Sequence, residues 1–141
     1  MGYYYDVLES DIMVLNERMA LVEESIRKYN AAVMKNGYDA EINEDDSRPL
    51  IQQIADHNRW GANRIENGFK LSEPWGDTKG DDYCGWLEAI AVGVKDGSYA
   101  QVKNEDGAMW RYMFQDGELY KVSPKWIIDA DAYRVGSDDE E

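Results

Sequence analysis

The 141 residues include one cysteine, one histidine, three prolines and two phenylalanines. With Cys84 alone, an intramolecular disulfide is excluded, which fits a reducing compartment. Cys84 and His57 together fall short of a structural zinc site, which usually takes about four Cys or His ligands. No apolar run approaches the ~18 residues needed to cross a bilayer. The opening stretch MGYYYDVLESD has neither the basic region nor the apolar core of a secretory signal. Asp6 stands where a myristoylation signal has Ser or Thr. The glycines fit neither the dinucleotide-binding nor the phosphate-loop spacing. These absences lead to the expectation of a cytoplasmic protein, off the membrane, with no cofactor, no metal and no catalytic residues.

Bases are scarce as well. Fifteen Lys and Arg stand against 29 Asp and Glu, for a net charge of −14. The deficit is local: residues 37–47 carry Asp39, Glu41, Glu44, Asp45 and Asp46 and no base, while residues 1–36 and 48–76 are nearly balanced. Residues 77–107 hold seven acids against three bases, and Asp138, Asp139, Glu140 and Glu141 account for the excess after them. Such a field repels phosphate backbones and anionic membranes and steers the chain toward basic surfaces. Direct nucleic-acid binding is not expected; a partner protein with a basic surface is.

What is present suffices for a core. Hydrophobic residues make up 43% of the chain, with ten Tyr and five Trp, at a length typical of one domain. Residues 3–15 are aromatic and β-branched and predict an extended strand, kinked at Glu9-Ser10. Asn16 is a candidate cap for a helix whose apolar stripe is Met19, Val22, Ile26, Tyr29 and Val33, closed by Asn36-Gly37. The acidic loop follows, then a shorter helix from Pro49, ending by Trp60-Gly61. Asn67-Gly68 between short alternations predicts a hairpin, and EPWGDTKGDD predicts a loop. Tyr83, Trp86, Leu87, Ile90, Ala91 and Val94 recur at helical spacing, with Asp81 or Asp82 as cap and Gly97 as stop. Gly85 and Gly93 weaken that helix, so packing must hold it.

The stretch SYAQVKNEDGAMWRYMFQDGELYKV has two Asp-Gly pairs ten residues apart, which predict a meander of strands at 98–103, 109–114 and 118–122. On the middle strand Trp110, Tyr112 and Phe114 alternate with Met109, Arg111 and Met113, which puts the three aromatics on one face. That face is expected beneath helix 82–95, against Trp86, Leu87 and Ile90. WIIDADAYRV, 126–135, alternates as a further strand after Pro124, and residues 136–141 read as a solvated acidic tail. The sum is a single α+β domain over residues 1–135, a largely antiparallel sheet with two or three helices packed on one face.

Gly97, Ser98, Tyr99, Glu105, Asp106, Gly107, Trp110, Arg111, Tyr112 and Phe114 make the pattern GSY…EDGxxWRYxFxDGxLY. In that pattern residues 83–122 resemble the C-terminal half of a loose group of small acidic, uncharacterised bacterial and phage α+β proteins. These are turn and core positions, so the resemblance implies a fold and transfers no activity.

The candidate chemistry is thin. Asp39, Glu41 and Asn43 match positions 1, 3 and 5 of a calcium loop, but Glu44 stands where the turn needs Gly and Leu50 where a bidentate Glu belongs. Cys84 near a helix start, with His57, makes a Cys-His nucleophile pair formally possible, without an oxyanion motif beside it. Carboxylates are too numerous to single out an acid–base pair. Trp75 and Trp126 fall in loops or at strand ends, where an aromatic serves a contact or the core equally well.

The leading expectation is a non-enzymatic acidic binding protein that inhibits or regulates a partner by occupying a basic surface, a nucleic-acid-binding surface being one version of it. A phage- or mobile-element-encoded anti-defence or immunity protein would be of this kind. Asp39, Glu41, Glu44, Asp45 and Asp46 would steer association, with Trp75 and Trp126 as anchors. Neutralising all five acids is expected to slow association and leave stability unchanged or improved. The alternative is a small hydrolase or transferase using carboxylates or Cys84.

Overall fold

The computed structural model describes residues 3–74, 78–80 and 85–124. Strand β1 (Tyr3–Asp11) is followed by β2 (Met13–Leu15), a 3-10 turn (Asn16–Arg18) and the long helix α1 (Met19–Lys35). Helix α2 (Leu50–His57) leads into β3 (Gly61–Ile65), β4 (Gly68–Ser72) and β5 (Thr78–Gly80). Helix α3 (Gly85–Ile90), extended by a 3-10 turn (Ala91–Gly93), precedes β6 (Tyr99–Asn104), β7 (Met109–Gln115) and β8 (Glu118–Val122). The fold is α+β, and all pairings are antiparallel. The strands divide between a five-stranded sheet, β5-β1-β6-β7-β8, and a three-stranded sheet, β2-β4-β3.

The N-terminal strand breaks elsewhere than Glu9-Ser10. The register shifts between Val7 and Glu9, a bulge that leaves Leu8 without an opposite residue. The chain then changes sheet at Ile12. That residue is fully buried, and its carbonyl accepts from the Leu71 N–H at 3.0 Å, so one stretch of chain stitches the two sheets together. Asn16 starts a 3-10 turn rather than capping α1, and its own N–H donates to the Asn67 carbonyl at 2.9 Å. Pro49 sits immediately before α2, as its missing N–H allows.

The meander follows the sequence closely. The inward side chains Trp110, Tyr112 and Phe114 are buried, and Met109, Arg111 and Met113 face the other way. The two Asp-Gly pairs nevertheless form different turns. Asp116-Gly117 is a two-residue loop with φ of 54° and 78°, the mirror-image geometry that matches strand twist. At the other pair the Asn104 side-chain oxygen accepts from the N–H groups of Asp106 (3.0 Å) and Ala108 (2.9 Å), which widens the loop. The Asn67-Gly68 turn is displaced by one residue. Ile65 pairs with Gly68, so Glu66-Asn67 is the loop and Gly68 opens β4, where an added Cβ would lie 1.9 Å from the Val14 carbonyl oxygen.

Two other expectations need correction. Residues 78–80, read as loop, pair with Tyr3–Tyr5 as β5, because the long β1 offers a second edge beyond β6. The helix expected over 82–95 stops earlier at its C-terminal end, and its residues 82–84 lie outside the described residues. It tightens at Ala91, and Val94 turns extended to bridge Val14. Its described apolar positions, Trp86, Leu87, Ile90, Ala91 and Val94, are all buried. They share one core with the α1 residues Val22 and Ile26, the α2 face, Trp60 and the meander aromatics. Within that core Trp86 meets Trp60 edge-on, ring centroids 5.6 Å apart. The strand expected at 126–135 and the tail at 136–141 lie outside the described residues. Among the described residues no helix is long and apolar enough to cross a membrane.

Candidate functional site

The acidic loop joins α1 to α2, and its conformation is set by individual side chains. Gly37, at φ 90°, ends α1, with its N–H on the Met34 carbonyl at 3.0 Å. Ile42 then turns inward as a buried plug. The Glu41 N–H donates to Asn30 Oδ1 on α1 at 2.6 Å. The Glu41 carboxylate accepts from the Tyr29 hydroxyl at 3.1 Å and from Asn58 Nδ2, just past α2, at 3.0 Å. Gln53, a buried polar residue of α2, accepts from the Asn43 N–H at 2.7 Å and donates to the Arg48 carbonyl at 2.8 Å. A loop of this length in water would otherwise sample many conformations; here each anchor satisfies a polar group that folding would strand.

The five acids are brought together but do not play one part. Glu41 braces the two helices. Glu44 pairs with Arg27 at 2.8 Å, with both side chains half exposed, and Arg27 is raised above its ordinary pKa chiefly by that hydrogen bond. Asp46 caps its own turn, accepting from the Arg48 N–H at 2.9 Å and from the guanidinium at 3.0 Å. Those two hydrogen bonds hold the Asp46 carboxyl below its ordinary value, the side-chain bond first. Asp39 and Asp45 are exposed, and among the described residues their carboxylates have no partner. The expectation that all five can be neutralised without loss of stability is therefore revised, because Glu41 and Asp46 hold the loop together.

Beside the loop an open cleft of about 500 Å³ is lined by Glu41, Asn43, Asp46, Arg48, Asp56 and His57. Arg48 spans it, 3.0 Å from Asp46 and 3.9 Å from Asp56. The guanidinium favours the ionised form of the Asp46 carboxyl. Among the described residues no three His, Cys, Asp or Glu side chains are grouped to hold a metal ion.

Trp75 and Trp126, the expected anchors, and Cys84, the candidate nucleophile, lie outside the described residues. His57 is exposed at the end of α2. The residues that sequence reasoning missed are Asn30, Gln53 and Asn58, whose amides fix the loop. Only Gln53 gave a signal: it falls at the i+3 position from Leu50, on the stripe that must be buried. No protein-family model matches this chain, nor does a curated protein or a solved structure.

Proposed function

We propose that the protein is a non-catalytic binding protein that presents the loop between α1 and α2 to a basic surface on a partner protein, as an inhibitor of the anti-defence or immunity kind would. The observation that carries the proposal is the fixed conformation of the loop, with Asp39 and Asp45 left unpaired upon it among the described residues. Ordering a charged loop before encounter lowers the entropy lost on binding, and unpaired carboxylates on a chain of net charge −14 steer a cationic partner. Acidity needed only for solubility would not require the loop to be held in one shape.

The test is surface-plasmon kinetics at two salt concentrations against a partner captured from host lysate. Asp39→Asn with Asp45→Asn is expected to slow association by about two- to five-fold at low salt and to leave dissociation nearly unchanged. Association rates indifferent to both salt and these substitutions would refute the proposal.

A further inference from the structure

The five-stranded sheet has two faces. The inner one carries Val102, Trp110, Tyr112 and Phe114 into the core with Leu87 and Ile90 of α3. On the outer face the side chains stand exposed or half-buried. Register lays them out in rows: Asp11, Tyr99, Met113 and Tyr120 in one, Glu9, Gln101, Arg111 and Val122 in the next, then Asp6, Lys103 and Met109. Each row starts with a carboxylate on β1 and ends on an apolar or aromatic side chain of β7 or β8, with Arg111 in the middle row. Tyr120 is 48% exposed, Val122 43% and Met109 37%.

The polar groups of this face are already oriented. Arg111 lies 4.4 Å over the Tyr99 ring and donates to Gln101 Oε1 at 2.7 Å. The Tyr99 hydroxyl donates to Glu9, and that of Tyr120 donates to Glu118 Oε1 at 3.3 Å. Arg111 is thus held flat, as part of the surface. Asp6, Glu9, Asp11 and Glu118 outweigh Arg111 and Lys103 in charge, and Lys70 reaches Asp11 from β4 at 3.2 Å.

We propose that this outer face docks a basic amphipathic helix of a partner protein, independently of the acidic loop. The dimensions fit. From β1 to β8 is three strand spacings, about 14 Å, close to the roughly 10–12 Å breadth of a helix with its side chains. An apolar helical stripe would rest on Met113, Tyr120 and Val122, with Lys or Arg on one flank reaching the β1 carboxylates. Methionine adapts to varied apolar shapes, and Tyr, Met and Arg are enriched where protein surfaces meet. A second copy is a poor occupant, because two chains of net charge −14 repel.

The test uses two synthetic Leu/Lys 14-mers of one composition, one patterned as an amphipathic helix and the other scrambled. Titrated into isotopically labelled full-length protein, the patterned peptide is expected to bind about ten-fold or more tightly than the scrambled one and to shift the amides of Tyr99, Arg111, Met113 and Tyr120. Met113→Ser with Tyr120→Ser is expected to abolish the difference between the peptides; Asp39→Asn with Asp45→Asn is expected to leave it intact. Mapping on the wild-type chain decides the matter even if the double variant folds poorly. Equal affinities, shifts confined to residues 37–47, or sedimentation showing a dimer closed through this face would each overturn the proposal. Only the loop-confined shifts would favour the loop as the binding surface.

Discussion

The meander of β6 to β8 and the loop between α1 and α2 are both ordered, by opposite means. In the meander, order comes from periodicity: every second side chain of β7 is buried, and the paired backbone does the rest. In the loop there is no periodic pattern, and order comes from a few polar side chains, each bonding one particular group. The first kind of order is spread over many contacts, and its largest single terms are the buried aromatics. The second is concentrated, so single substitutions should divide the loop residues sharply into those that matter for stability and those that do not.

The largest expected effect lies in the meander. Trp110→Ala should destabilise the fold by about 3–5 kcal/mol in urea melts, the usual range for a large aromatic removed from a core. Trp110→Phe sharpens the point. The buried indole N–H has no hydrogen-bond partner among the described residues, so replacing the indole strands no polar group, and only the smaller cavity left by Phe adds to the loss, which should stay well below that of the Ala variant. A Phe variant as unstable as the Ala variant would mean that the indole edge matters more than its volume.

Next comes Glu41→Gln. The Asn58 NH2 donates to one carboxylate oxygen and keeps its bond to Gln Oε1, whereas the Tyr29 hydroxyl must turn from donor to acceptor to meet the new NH2, so the cost should stay at about 1 kcal/mol or less. An unchanged urea midpoint would place the order of the loop elsewhere than in its hydrogen bonds. Asp46→Asn should act in a pH-dependent way. Because Arg48 lowers the Asp46 pKa in the folded state, the native chain binds fewer protons than the unfolded one near that pKa. The stabilisation is then present above the ordinary value of 3.8 and is lost as pH falls below it. The stability gap between wild type and variant should therefore be open at pH 7 and close toward pH 3; a gap that widens on acidification would reverse the assignment. Smallest of all, Asp39→Asn with Asp45→Asn should leave the melting temperature within about a degree or two, since neither carboxylate is paired among the described residues.

The same contrast explains what could be read in advance. The α1 and α3 stripes, the buried face of β7 and the Asp116-Gly117 turn follow from spacing and turn chemistry, which one sequence displays. The change of sheet at Ile12 does not, because Ile12 and Val14 would alternate equally well in one long strand. Nor does β5, whose Thr-Lys-Gly has no strand signal and is recruited by the free edge of β1. In the loop the clustering of the acids was legible and their division of labour was not. Asn30 and Asn58 look like ordinary helix-surface amides until the fold brings Glu41 between them.

The position of β1 in its sheet has a consequence for synthesis. Its neighbours β5 and β6 are both made much later, with ~90 residues separating Asp11 from its partner Tyr99. At translation rates of about 5–20 residues per second, the emerging β1 waits roughly 5–20 seconds for β6. During that interval a strand beginning Tyr-Tyr-Tyr has both edges open to other nascent chains. Asp6, Glu9 and Asp11, spaced along that same strand, put charge where such pairing would begin, the placement by which charged residues oppose it.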